Sequence, residues 1–421
     1  MHIYLSVLLF LKSVTALWPI PRQITTGSSA LILADTFTID LASIEEAPQD
    51  LQDAASRTIN HLRNDKLERL GFSRDLDGIY SLASARVLKR LLLSIKSNRN
   101  DSIDPIVLNY DEHIWNPGSL VNEGRIRSIA EVTALPVEER DESYQLFVPE
   151  DGSDAMLTAK TSLGLLRGLT TFGQIWYQHE DWTYTLEAPF EIKDEPAYKW
   201  RGLLLDTARN FFSVNDIKRT ITAMELSKMN IFHWHVVDSQ SFPLVLPEFP
   251  ELAEYGAYSP TKQYSTAEFD EIVAYAAARG VDVMLEIDTP GHTAIIHNSH
   301  PEFHDPTTDT IPRIEPPAGQ LRLTEKEVIT FVQKLFRAAT SRLPGRYFST
   351  GGDEINERCY AEDPVVQSSL EKTGQTIQQA IAEFTKRTHQ TLFDTGKVPV
   401  VWQEMILGHG DLGLSKETVV L

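Results

Sequence analysis

From Trp200 to the last residue the chain repeats one unit, a short apolar run followed by a stretch of helical period. This rhythm restricts the fold more than any other feature. The apolar runs cover residues 203–206, 231–237, 281–287, 347–350 and 398–402, and a sixth begins at 418. Between them Ser213 with Asp216, Ser265 with Glu268, and Thr324 with Glu327 stand at capping-box spacing and predict helix starts. Gly280 predicts a helix end, and residues 377–393 a further helix. Apolar strands alternating with helices describe a parallel sheet covered by helices. Such a sheet is either doubly wound or a barrel. A doubly wound sheet gathers its ligand at one switch point, usually beside a glycine-rich phosphate turn, and this sequence has no such turn. Polar residues instead follow nearly every strand, as at the mouth of a barrel. The expected fold is α/β, an incomplete (β/α)8 TIM barrel over residues 197–421, about two βα units short.

Residues 17–196 lack that rhythm and read as a smaller α+β domain. Strands are expected at 105–110 and 143–148, and helices at 81–96 and 163–178. Ahead of them, residues 3–11 form an apolar run too short to span a bilayer. Val14-Thr15-Ala16 then supplies small residues at cleavage positions, so residues 1–16 read as a signal peptide and the chain as secreted. Met1-His2 carries little of the usual positive charge, and a buried N-terminal strand is the competing reading. Asn100-Asp101-Ser102 is a glycosylation acceptor suited to that compartment. Cys359 is the sole cysteine and cannot pair within the chain. With 39 basic and 59 acidic residues the net charge is −20. Such a surface repels nucleic acid and anionic membranes and suits neutral or cationic ligands.

The strand ends carry the chemistry. They bring Asp206 with Arg209, His233-Trp234-His235 with Asp238, Asp288 with His292, Gly351-Gly352-Asp353-Glu354, and Trp402 with Glu404. In a barrel these converge on one cavity, where carboxyls supply acid–base work and aromatic faces stack on sugar C–H surfaces. Acidic residues also collect at helix N-termini for the macrodipole alone. Asp353-Glu354, however, follows an apolar strand and two glycines that let backbone and substrate approach closely. Adjacent carboxylates also resist double ionisation, so one can stay protonated as an acid. The His-x-His step fits metal ligation with His292 and Asp353, or a structural pair that orients neighbouring acids. Pattern alone puts Arg201 at the N-terminal end of its strand, the face usually concerned with stability.

At these residues the chain resembles the family 20 glycoside hydrolases, the β-N-acetylhexosaminidases. The resemblance runs through residues 200–209 (WRGLLLDTAR), 232–243 (FHWHVVDSQSFP), 286–293 (EIDTPGHT), 351–354 (GGDE) and 401–404 (VWQE), in family order. It implies release of terminal non-reducing N-acetyl-D-hexosamine residues by a retaining, substrate-assisted route. Glu354 would be the general acid, and Asp353 would orient the substrate's 2-acetamido group and balance its charge. Trp402 would line the acetamido pocket, Arg201 would hold sugar hydroxyls despite its strand position, and Asp238 and His292 would support the acid. No metal or cofactor is implied. The partners would be N-acetylhexosamine-terminated oligosaccharides such as chitin oligomers or glycans, with a homodimer for a full-length form. Family members carry further strands after the position of Leu421, and the loop at 304–314 departs from the family's, which usually holds a cysteine to pair where Cys359 stands. These departures set an alternative expectation, a truncated, aggregation-prone remnant that binds amino sugars without turning them over.

Overall fold

The computed structural model describes residues 17–68, 79–96, 125–305 and 319–421. The expected signal peptide, the Asn100 acceptor and the 105–110 strand lie outside them. So does most of the 304–314 loop.

The first unit is a mixed sheet of β1 (Gln23–Asp40), β2 (Arg86–Ile95), β3 (Tyr144–Val148), β4 (Ala155–Ala159), β5 (Tyr177–His179) and β6 (Trp182–Asp194). The long β1 pairs antiparallel with β6 along its first half and parallel with β2 along its second. The helices Gln49–Asn64 and Ser162–Gln174 bring Leu51, Leu163, Leu166 and Phe172 into one core with Leu31, Leu88, Leu146 and Leu157 of the strands. Of the 81–96 segment, Arg86–Ile95 is a strand rather than the expected helix, after a short 3-10 helix that ends at Ser84. The strand's apolar positions 88, 91, 92 and 95 mimic helical spacing, and its pairing with β1 is irregular. Between the Leu33–Leu88 and Thr38–Arg90 pairs β1 advances five residues and β2 two, so the register slips there. The 163–178 helix stops at Gln174, and its last residues become β5.

The second unit is a parallel sheet of β7 (Gly202–Asp206), β8 (Ile231–Val237), β9 (Asp282–Ile287), β10 (Tyr347–Gly351), β11 (Val398–Val401) and β12 (Val419–Val420). The strands lie in strict sequence order, with β7 and β12 at the two edges. The helices Val214–Leu226, Thr266–Ala277, Lys326–Thr340 and Ile377–Asp394 form the crossovers. Sequential parallel order with a long helix in each of the first four crossovers is the incomplete (β/α)8 barrel that the rhythm predicts. β8 and β9 are buried along their whole length, as central parallel strands are when helices cover one face and side chains fill the other. Ser213 and Ser265 cap their helices, the latter with the full reciprocal box. Thr324 does not: Glu325 takes the N-cap position of Lys326–Thr340 and no side chain caps it. That helix is held instead by its apolar stripe, with Val328, Val332, Leu335 and Phe336 buried against the barrel.

The two units are fastened at the bottom of the barrel, where the strands begin. Glu142, buried, receives Nε of Arg167 at 2.7 Å and Nη2 of Arg201 at 2.6 Å. Arg140 reaches Asp282 at the start of β9 at 2.8 Å. No helix among the described residues is long and apolar enough to cross a membrane.

Candidate active site

At the opposite end, where the strands finish, every residue of the expected mouth except Arg201 and Trp234 is brought together. On β8, His233 and His235 point to one side of the strand. Trp234 points to the other and donates from Nε1 to Thr207 Oγ1 at 2.8 Å, the two-residue alternation of a strand. The two imidazoles grip one buried carboxylate, Glu286 of β9. His233 bonds one oxygen through Nε2, and His235 Nδ1 lies 2.9 Å from the other. His235 Nε2 lies 2.8 Å from Asp238. Burial alone would lower the His235 pKa, but the bonds to Asp238 and Glu286 outweigh it and raise it to about 10. The His-x-His step is therefore an orienting pair rather than an open metal mouth. Burial would raise Asp238 and Glu286 in turn, but the histidines hold both well below the usual carboxylate range.

This frame positions the acids. His292 Nδ1 sits 3.3 Å from Asp238 Oδ1, and its Nε2 faces Glu354 Oε2 at 3.4 Å. Asp238, His292 and Glu354 thus stand in line as carboxylate, imidazole and carboxyl, the last step a close contact rather than a hydrogen bond. Both His292 and Glu354 have left-handed backbones, with φ of 54° and 53°. Non-glycine residues accept that conformation only where the surroundings impose it, and such residues cluster at functional sites. For Glu354 the constraint is visible, since its amide donates to Glu404 Oε2 at 2.7 Å from beyond the end of β11. Asp353 stands beside Asp288, whose Oδ1 accepts the Gly352 amide at 2.7 Å. Burial, and then the Asp353 charge, push the Asp288 carboxyl well above its usual range. Trp402, half-buried, stacks on His233 at 5.5 Å between ring centres and donates from Nε1 to Glu286 at 3.2 Å. It forms a flat wall beside the acids.

The two glycines have separate reasons. Gly351 has φ 63°, and a Cβ there would lie 2.1 Å from Asp288 Oδ1. Gly352 has φ 91°, and its Cβ would meet Met405 Sδ at 2.5 Å. A Gly351→Ala chain is expected to lose roughly 1–3 kcal/mol of stability from the backbone conformation alone, with further loss from the collision. Chemical denaturation checks this, and an unchanged midpoint would contradict the reading.

Arg201 is the one expected site residue in the wrong place. It sits at the start of β7 with Nε on Lys228 O at 2.8 Å, Nη1 on Tyr198 O at 2.7 Å and Nη2 on Glu142. Its guanidinium is spent on fastening the two units and points away from the mouth. Arg209, four residues' travel past the β7 residue Leu205, is the arginine at the mouth. Its Nη2 lies 3.1 Å from Asp238 and its Nη1 3.0 Å from Asp206. Sequence reasoning paired Arg209 with Asp206 but gave it no role, although its place just past a strand end was the signal for one. Glu286 was missed in the same way. Its signal is a carboxylate near the C-terminal end of a largely apolar strand, the one after the strand that carries the two histidines.

A parallel-stranded barrel with paired carboxyls, an orienting histidine and an aromatic wall at its C-terminal mouth is the scaffold of a carbohydrate-cleaving enzyme class. The description "Glycosyl hydrolase family 20, catalytic domain" fits residues 198–421, and "beta-acetyl hexosaminidase like" fits residues 17–175. The chain belongs to glycosyl hydrolase family 20. It is 30% identical to the mouse (Mus musculus) "Beta-hexosaminidase subunit beta" over 93% of its own length and 66% of that protein's. It is 38% identical to the Bombyx mori "Chitooligosaccharidolytic beta-N-acetylglucosaminidase" over 55% of this chain and 40% of that protein. The X-ray structure of Flavobacterium johnsoniae chitobiase superimposes with a TM-score of 0.72 at 25% identity, covering 96% of this chain and 54% of that one. The chain thus spans between 40% and 66% of the length of the two curated relatives named.

Proposed function

We propose that the protein hydrolyses terminal non-reducing N-acetylhexosamine residues from β-linked oligosaccharides, with the substrate's own acetamido group as nucleophile. The observation that carries this is the geometry of Asp353. Its Oδ1 is buried and has no hydrogen-bond partner among the described residues, beside an acid held by His292. A nucleophilic carboxylate is not required in the substrate-assisted route, for which family 20 is a recognised exception among glycosidases. Asp353 Oδ1 accepts the acetamido N–H, turning the carbonyl oxygen toward the anomeric carbon. Glu354 donates its proton to the glycosidic oxygen as that bond breaks, and the carbonyl oxygen closes an oxazolinium ring. Asp353 balances the positive charge. Water then attacks the anomeric carbon while Glu354 takes its proton, the ring reopens, and configuration is retained.

Asp238 and His292 support the acid through the carboxylate–imidazole chain. Trp402 walls the acetamido pocket. Arg209 replaces Arg201 as the cation that holds sugar hydroxyls, a role its place among Asp206, Asp238 and the mouth supports. The names of the silkworm and Flavobacterium relatives favour chitin-derived oligomers as substrates. The signal-like residues 1–16 favour the secretory route for the chain.

Thiazoline mimics of the cyclised intermediate are expected to bind roughly 10²-fold or more tightly than substrate, and glycosides with a bare 2-hydroxyl to be turned over poorly. Inhibition constants and a mass-spectrometric search for a sugar ester test this together. A trapped covalent sugar on Asp353 would overturn the mechanism.

A further inference from the structure

We propose that the mouth is also a binding site for a borderline divalent transition metal of the Zn2+ kind, held by Asp288, His292 and Asp353, and that the ion inhibits the site. One ligand atom from each of the three residues lies within 4.8 Å of the others. His292 Nε2 is 4.0 Å from Asp288 Oδ2 and 3.8 Å from Asp353 Oδ2. Glu354 Oε2, at 3.4 Å, is a third oxygen near the same nitrogen. Donors around a tetrahedral zinc, each about 2.0–2.2 Å from the metal, are about 3.4 Å from one another. The three atoms of Asp288, His292 and Asp353 therefore need only small movements to close on one ion.

The second observation concerns the imidazole. His292 is only 4% exposed, and its Nε2 has no hydrogen-bond partner among the described residues. Its other nitrogen is already engaged with Asp238, at 3.3 Å. A histidine whose Nδ1 is oriented by a carboxylate while Nε2 is left for a ligand has the usual second-partner arrangement of zinc sites. The orphan Asp353 Oδ1 faces the same space. A mixed nitrogen and oxygen donor set favours Zn2+ or Cu2+ over Mg2+ or Ca2+, which prefer oxygen alone.

The chemistry makes the ion a competitor. The carboxylates that balance an oxazolinium cation in the hydrolase reading would equally balance a metal ion. A bound ion removes the Asp353 acceptor and ties up the Glu354 support. The inhibition rests on that reading, whereas the binding does not.

Titration calorimetry of the whole chain with ZnCl2, in a buffer that does not chelate, is expected to show one site. His292→Asn should weaken it at least about 100-fold, more than loss of a supporting partner costs. His300→Asn removes a surface histidine placed between Glu251 and Glu302 and should leave the site intact. Because either variant could misfold, Co2+ is also added to the unaltered chain. Intensified visible d–d bands, displaced by one equivalent of Zn2+, support the site, and the spectrum of aqueous Co2+ overturns it. Zinc binding unaffected by His292→Asn overturns it as well. Binding in a chain without hydrolysis keeps this proposal and defeats the functional one; hydrolysis indifferent to Zn2+, with no calorimetric site, does the reverse.

Discussion

Glu354→Gln is expected to lower kcat/KM by about 10²- to 10⁴-fold on glycosides with poor leaving groups, the range that a positioned general acid supplies. Aryl glycosides whose phenolate departs unaided should lose far less, because the deleted proton is not needed there. Gln is isosteric, and the backbone hydrogen bond from residue 354 to Glu404 does not depend on the side chain, so substrate binding should survive. A leaving-group series on both chains checks this. An equal loss across the series would assign Glu354 a structural role and leave the proton donor to be found elsewhere.

The second large effect lies at the other end of the barrel. Glu142 stands between Arg167 and Arg201, with Arg167 and Glu142 nearly sealed from water and Arg201 mostly so. Asn230 also approaches it, at 3.3 Å. Removing one partner from a buried ion cluster leaves charge without compensation and costs about 3–5 kcal/mol. Glu142→Gln is therefore expected to lower the denaturation midpoint more than any surface change, with the units loosening from one another. Burial alone would raise the Glu142 carboxyl, but the two arginines overcome it and hold it below the usual range. A depressed carboxylate contributes its stability in full above its unfolded value, near 4.5, and loses it as pH falls through the folded one. The unaltered chain should weaken below about pH 4.5 by more than the Gln variant does. Midpoints in guanidinium at pH 7 and pH 3.5 decide it, and a difference that does not shrink in acid would remove Glu142 from the account.

The barrel was legible because two independent signals agreed there. Apolar runs marked the strands, and Ser213 and Ser265 marked helix starts; residues 231–237 are a strand at both ends as expected. In the first unit the signals conflicted. Leu88, Leu91, Leu92 and Ile95 of β2 fall at helical spacing, and only the pairing of β2 with β1 and β4 shows that they belong to a strand. Tertiary pairing of that kind leaves no local trace. Thr324 stood at cap spacing by coincidence, since the preceding loop delivers Glu325 to the cap position. For the site, Asp353, Glu354, Asp238, His292 and Trp402 share one mouth, as strand-end position predicts. Arg201 shows the limit of likeness to a family. Its place at the start of β7 was the physical clue to a fastening role, and the motif around it drew attention from Arg209 eight residues later. The grip of His233 and His235 on Glu286 could not be read either, because nothing in sequence sets the register between β8 and β9.

The left-handed turn at Glu354 has a consequence for transplantation. Its geometry is written by Asp288 from one repeat, by Gly351 and Gly352 from the next, and by Glu404 from the one after. Moving only the neighbouring Asp and Glu onto another barrel would carry the two carboxyls and leave their aim behind. The smallest portable unit is at least three consecutive repeats.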